Sequence, residues 1–532
     1  MSRFCSTWLA IILSVGSLVA QAPPNTPNLP KIKVLILTGV NNHNWIATTP
    51  VLREVLEQTG RFQVRVNEEV RGNGPETFAP YDVLLLNYND LNHTAGPWWD
   101  DRARQAMLDF VRNGKGLVSY HAANNAFWGW DEFDKMVGGT WRETAGHAPY
   151  HAYTVKIVDR EDPITQGMPA NFAETDELYH GLSMQPGIHL LATAYDDPNN
   201  CGRNGQGCGT GRDEPLIWTL KYGSGRVFQT ALGHDVNSLQ GAGIRLTLAR
   251  GTEWAATGQV TIPVAAFSEG SSLAPAPPKP SQPSGLPVAP PLPKVKVLIL
   301  TGISNHKWAL TTPVLREVLE QTGRFDVRVN EEVRGNGPET FAPYDVLLLN
   351  YNDARHTAGP WWDDRAREAM LDFVRNGKGF VCYHHSDNAF WGWDEFDKLV
   401  GGTWRETGGH AALHPFTAKI ADAENPITQS MPATFAETDE LYHGLTLQPN
   451  IQILATAYDD PHNCAKNGKN CGTGKDEPLM WTLKYGSGRV FQTTLGHDVQ
   501  AMDSPGFRLT LVRGTEWAAT GQVTIPVPAD LH

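Results

Sequence analysis

Lys33-Val-Leu-Ile-Leu-Thr-Gly39 returns as Lys296-Val-Leu-Ile-Leu-Thr-Gly302, and from there nearly every residue recurs at the same spacing until Thr261-Ile-Pro-Val264 returns as Thr524-Ile-Pro-Val527. The chain therefore carries one kind of domain twice. Val34-Leu-Ile-Leu37 is a short, unbroken apolar run closed by Thr-Gly, the pattern of a strand buried on both faces of a parallel sheet. After it, Thr48-Thr-Pro50 offers capping hydroxyls and an early proline for a helix through Leu52, Val55 and Leu56 that stops at Gly60. Phe62-Gln-Val-Arg-Val66, Val83-Leu-Leu-Leu86 and Gly116-Leu-Val-Ser-Tyr120 read as further strands, with a helix from Asp100 to Arg112 between the last two. Later strands are expected at 153–158, 188–193, 216–220 and 226–230, and a closing helix at 244–256. Apolar strands alternating with amphipathic helices predict an α/β fold, a doubly wound and mostly parallel sheet present in two copies.

A repeat of about 235 residues is long enough to bury its own core. The boundaries read as a secretory signal over 1–22, a domain over 31–264, a Pro/Ser-rich linker over 265–293 and a second domain over 294–527. The linker predicts two domains strung like beads, with any docking between them not readable from the sequence. Arg3, the apolar stretch Trp8-Leu-Ala-Ile-Ile-Leu13 and Leu18-Val-Ala20 make the export signal, with cleavage after Ala20 and a secreted or periplasmic product; the stretch is too short and interrupted for a membrane span. Net charge is −13, with no cluster of five basic residues, which argues against nucleic acid and anionic lipid as partners. Cys201 and Cys208 recur as Cys464 and Cys471 around a loop rich in turn formers. A disulfide there contributes about 2.5 kcal/mol by loop-closure entropy, and a two-thiolate metal site is the rival reading.

Ligands of open parallel sheets sit at the carboxyl ends of the strands. Here those ends carry His43 and Trp45, Asn87-Tyr-Asn89-Asp90, His121-Ala-Ala-Asn-Asn125 and Leu232-Gly-His234-Asp235. Of eighteen histidines, seven pairs match between copies: His43/His306, His93/His356, His121/His384, His147/His410, His151/His414, His180/His443 and His234/His497. A single buried histidine is more often a hydrogen-bonded structural group. As a set, these imidazoles with Asp176, Glu177 and Asp235 make a divalent metal such as zinc the candidate cofactor, with His147, His151, His234, His410, His414 and His497 as candidate ligands. His121, His384, His43 and His306 are the candidate acid, base or ligand groups, since imidazole transfers protons near neutral pH. Aromatic side chains dense around the strand ends suit stacking on sugar rings, although most tryptophans simply fill cores. The candidate substrate-binding residues are Trp45/Trp308, Asn89/Asn352, Asn125/Asn388, Trp128/Trp391, Asp176/Asp439 and Tyr179/Tyr442.

Leu37-Thr-Gly39 with His43 and Trp45, Gly114-Lys-Gly-Leu-Val-Ser-Tyr-His121-Ala-Ala, Val137-Gly-Gly139 followed by His147 and His151, Pro163-Ile-Thr-Gln-Gly-Met-Pro169, and Asp176-Glu-Leu-Tyr179 together resemble the ThuA-like, or trehalose-utilisation, family over both copies. The resemblance implies a flavodoxin-type, class I glutamine-amidotransferase-like fold and a link to carbohydrate. True amidotransferases place a nucleophilic cysteine at the strand-to-helix elbow where this chain has His121 and His384, so amidotransferase activity is not expected. Family members often read His-Pro where this chain has Asp162-Pro163 and Asn425-Pro426. The second copy also gains His385 and Asp387 in place of Ala122 and Asn124, making its cleft the more polar and the better suited to a cation. Two readings remain open: a carbohydrate-active hydrolase, isomerase or lyase, and a non-catalytic glycan-binding or interaction protein whose duplication supplies avidity.

Overall fold

A computed structural model of the chain describes residues 29–90, 98–202, 207–267, 286–353, 361–464, 471–529 and 531. The expected export signal, the 268–285 part of the linker, and His93 and His356 lie outside the described residues.

In the first copy, β1 (Ile32–Leu37), β2 (Phe62–Asn67), β3 (Val83–Leu86) and β4 (Gly116–Tyr120) pair in the order β2-β1-β3-β4, and Gly225–Thr230 extends the row beside β4; all five run parallel. This order is the flavodoxin-like one. Four further strands, 213–222, 189–195, 151–157 and 171–176, continue the sheet, each antiparallel to the one before it. Four reversals, an even number, restore the original direction, so 171–176 runs in the same sense as β4. The second copy repeats the arrangement strand for strand. Every residue of β3 and β4 is buried, as expected for strands covered on both faces by helices. The helix Ala242–Thr257 packs so closely that a Cβ on Gly116 would stand 2.6 Å from the Ala255 carbonyl, which is why a glycine starts β4.

Two local expectations are corrected. The first helix begins at Trp45, capped by the Asn44 side chain, which accepts from Ala47 N at 3.2 Å. Thr48 and Thr49 lie inside it and accept from Asn87 Nδ2, at 3.1 Å each, tying the helix to the end of β3. The strand Asn171–Asp176 is an addition; its Asn, Glu and Asp are depleted in strands and hide its alternation. Disulfides join Cys201 to Cys208 and Cys464 to Cys471. Among the described residues no helix is long and apolar enough to cross a membrane.

The copies are not beads. β2 meets its repeat Phe325–Asn330 antiparallel at Asn67 and Asn330, which makes one 18-stranded sheet across a pseudo-two-fold axis. Glu68 N donates to Val329 O and Glu331 N to Val66 O, both at 3.0 Å. Asn330 Oδ1 accepts from Glu69 N and Asn67 Oδ1 from Glu332 N, both at 2.9 Å. Glu332 and Glu69, fully buried, each accept a tyrosine hydroxyl of the other copy at 2.8 Å, from Tyr81 and Tyr344. Arg53 pairs with Glu331 and Arg316 with Glu68. The segment Val66-Asn-Glu-Glu-Val-Arg-Gly-Asn-Gly74 is identical in both copies and reads as a polar loop; its self-complementarity exists only once two copies face each other.

Removing one member of a buried ion pair strands the other charge. Arg316→Ala is therefore expected to cost about 3 kcal/mol by urea unfolding, because Glu68 loses its counter-charge at a buried position. A change below about 0.5 kcal/mol would mean that the copies do not dock through this surface in solution.

Candidate metal centre

Strand direction assembles the site. His43 lies in the loop after β1, His121 directly follows β4, Glu177 directly follows 171–176, and His234 lies just beyond 225–230. All four leave the carboxyl ends of strands that run the same way. One donor atom from each lies within 4.8 Å of all the others, and His306, His384, Glu440 and His497 repeat the group.

Hydrogen bonds behind the ligand atoms fix the imidazoles. His121 sits in the left-handed backbone region at φ 45° and His384 at φ 42°, a conformation that costs a non-glycine residue about 1 kcal/mol or more. His121 Nδ1 donates to the Ala231 carbonyl at 2.7 Å, and His384 Nδ1 to the Thr494 carbonyl at 2.6 Å. Nε2 is then an acceptor, and the Tyr179 hydroxyl donates to it at 2.8 Å, as Tyr442 does to His384 at 3.0 Å. His43 Nδ1 lies 2.9 Å from Asn42 Oδ1, an acceptor, so its Nε2 is bare as well. These two bare nitrogens, His43 Nε2 and His121 Nε2, face each other at 3.3 Å. With both Nδ1 protons committed, neither Nε2 carries a proton; the His43 lone pair is open to a cation, and that of His121 becomes so once the Tyr179 hydroxyl turns away. Glu177 Oε2 completes the group, 3.1 Å from His234 Nδ1 and 3.8 Å from His43 Nε2. Three imidazoles and one carboxylate are a donor set that fits zinc or a similar divalent ion.

The electrostatics are divided: Glu177 raises His234 and, against burial, Glu440 raises His497, while the two carboxylates, His121, His384 and His306 are held in their ligating forms. Burial pushes the Glu177 carboxyl up, but His234 and His43, then His121 and His147, outweigh it and hold it far below the usual carboxylate range. Glu440 is held low likewise, with His497 the leading cause against burial. Burial, reinforced by neighbouring imidazoles, lowers His121 and His384 and brings His306 to about 4. These histidines are neutral at physiological pH, the form that ligates metal.

The other sequence-predicted residues fall into layers. His147 and His410 stand at the rim, Nδ1 at 3.6 and 3.5 Å from the second oxygens of Glu177 and Glu440. His151 and His414 are outside the four-donor groups, their Nδ1 donating to the carbonyls of Pro149 at 2.6 Å and Ala412 at 2.8 Å. Asp176 and Asp439 are fully buried behind the site; Asp176 accepts from the backbone N–H of Gly233, His234 and Glu177 at 2.5, 3.1 and 2.8 Å, and so positions His234. Asp235 caps the following turn by accepting from Ser238 N at 2.9 Å. Sequence adjacency cannot rank these three carboxylates, whereas the end of the strand turns only Glu177 into the cluster. Asn89 and Asn352 accept from the backbone N–H of Asn42 and Asn305 at 3.1 Å and steady the loops of His43 and His306. Asn125 and Asn388 accept from the indoles of Trp128 at 2.7 Å and Trp391 at 2.6 Å, which lie against Arg142 and Arg405. Trp45 and Trp308 face the opposite copy, under Arg328 at 5.7 Å and Arg65 at 5.8 Å. In the second copy the cluster opens into a cleft of about 370 Å³ whose walls include His385, Asn388, Trp404, His410, Tyr442 and Asp498. The elbow of each copy holds histidine, and Cys382 is buried within its strand, its thiol pushed up by burial.

The fold and site define a tandem flavodoxin-like protein with one candidate metal centre per copy. The ThuA family, described as trehalose utilisation, matches residues 33–255 and 296–518, and the chain belongs to it. A ThuA-like protein from Parabacteroides merdae is 33% identical over 44% of this chain and 92% of its own, with a TM-score of 0.38. One from Bacteroides uniformis is 19% identical over 44% and 97%, with a TM-score of 0.37. No curated protein matches.

Partners that orient metal-binding histidines usually change affinity by about 10–100-fold when removed. Asn42→Ala is therefore expected to weaken metal binding in the first copy by about tenfold in a chelator competition, with the second copy unaffected. A separate outcome concerns pH. Burial raises Glu174 and Glu437 to about 8, so both are protonated in the neutral folded protein. A raised folded value makes the contribution to stability full below the unfolded value of 4.5 and lost as pH climbs through about 8. The Glu174→Gln/Glu437→Gln protein should show a flatter fall of Tm between pH 5 and 9; an unchanged slope would show that these carboxyls are ionised throughout.

Proposed function

We propose that each copy holds a divalent metal ion, zinc being the first candidate, and binds and acts on a carbohydrate, a trehalose-like or other glycoside, as a hydrolase, isomerase or lyase. The observation that carries this reading is the pair of unprotonated Nε2 atoms of His43 and His121 at 3.3 Å beside Glu177. His43, His121, Glu177 and His234, with their repeats, would hold the ion, which supplies Lewis acidity to polarise a sugar hydroxyl or carbonyl oxygen. The Ala231 carbonyl keeps His121 aligned through Nδ1, the Tyr179 hydroxyl would yield Nε2 to the ion, and Asp176 holds the backbone of His234 in place. His147 and His410, half-buried at the rim, are placed to exchange a proton with a ligand in the cleft. In the second copy Trp404 offers a ring face and Asn388 an amide to a sugar. The histidine elbow supplies no sulfur nucleophile, which argues against glutamine hydrolysis. An exported protein, secreted or periplasmic, agrees with the two disulfides.

Metal analysis of the purified protein tests this directly. About two equivalents per chain are expected, one in Glu177→Gln, and none in the His121→Ala/His384→Ala double variant, which should also lose any turnover of trehalose or a related glycoside. A folded, fully active wild-type protein that never takes up metal would overturn the reading.

A further inference from the structure

A second kind of cavity lies between the copies. A groove of about 400 Å³ is formed by Lys33, Gln63 and Arg65 on the β1–β2 face of the first copy and by Trp308, Arg334 and Trp361 of the second. Among its described lining residues three are cations and none is acidic, in a chain of net charge −13. Arg65 is 8% exposed, and its hydrogen bond is to the main-chain carbonyl of Glu331 at 2.6 Å. No salt bridge joins it to a carboxylate among the described residues, although most arginines around the interface have one. Arg65 lies 4.2 Å from the centre of the Trp361 ring and Arg334 4.6 Å from it, cation–π contacts that hold both planar guanidinium groups; Arg334 is already paired with Glu332, which leaves Arg65 as the one of the two without a carboxylate among the described residues. A buried guanidinium held in this way, without a counter-charge, matches an incoming carboxylate.

We propose that this groove is a binding site for a sugar-sized carboxylate, a uronic-acid-type ligand, separate from the metal clefts. Arg65 and Lys33 take the carboxylate, Gln63 takes a hydroxyl, and the Trp308 indole borders the ring. The two copies differ at this point: where the first has Gln63, the second has Asp326, so the pseudo-symmetric groove carries an anion that repels such a ligand. One groove per chain is therefore competent.

The test is isothermal titration calorimetry of the full chain with D-glucuronate, D-glucose and inorganic sulfate. Saturable binding of about one glucuronate per chain and none of glucose is expected. Lys33→Gln and Gln63→Asp, both at exposed strand positions outside the interface bonds, should each weaken it about tenfold. The His121→Ala/His384→Ala protein should bind glucuronate as the wild type does, which separates this site from the metal reading. Loss of binding in that double variant, equal binding of glucose, binding of sulfate alone, or indifference to both groove substitutions would each overturn the proposal.

Discussion

The common direction of the strands is the constraint on which the candidate site rests. β1, β4 and 225–230 run parallel in one sheet, and the four antiparallel reversals beyond them return 171–176 to the same sense. Four separate loops therefore open at one edge. Each brings one donor, and none of the four is a sequence neighbour of another. Had the last strands ended in an odd number of reversals, Glu177 would emerge at the far edge and the histidines would face each other without a carboxylate.

The second layer of the site is built from groups that have nothing left for a ligand. Asp176 spends its oxygens on three backbone amides, Asn42 on His43, and the Ala231 carbonyl on His121. The atoms that converge are Nε2 of His43 and His121, Nδ1 of His234 and Oε2 of Glu177, which meet one another and the Tyr179 hydroxyl. The second copy departs here. His385, where the first copy has Ala122, stacks parallel to His306 at 4.3 Å, and neither of its ring nitrogens has a hydrogen-bond partner among the described residues. Both carboxylate oxygens of the fully buried Asp387 likewise lack a hydrogen-bond partner among the described residues, and burial drives this group toward its neutral form. The two clefts share their donors and differ in their walls.

The joint between the copies is polar to an unusual depth. Glu69 and Glu332 are wholly buried, and they are stabilised by charge and hydrogen bonds supplied by the other copy as well as their own. Such an interface gains less from apolar burial than from specificity: every polar group finds its partner in one register only. Duplication placed both halves of a self-complementary surface on one chain, and the seam also forms the cationic groove, which neither copy possesses alone.

Much of this was legible beforehand because it depends on local pattern. The apolar runs at Val34–Leu37 and Val83–Leu86, the repeat itself and the strand-end positions of His43, His121 and His234 follow from side-chain periodicity and from the rule that ligands gather at carboxyl ends. The Cys201–Cys208 loop offered a disulfide and a thiolate site as alternatives, and the structure closes it as a disulfide. What the sequence by itself determined was the kind of domain, its duplication and the supply of imidazoles. Which carboxylate joins them, that His151 and Asp176 stand apart from the four donors, that Trp45 leaves its own cleft to face Arg328, and that the copies share one sheet were decided only by the tertiary structure. The physical reason is that each of these turns on the direction of a strand end or on a surface complementary to a second copy of itself, and neither quantity is written in the spacing of residues along a chain.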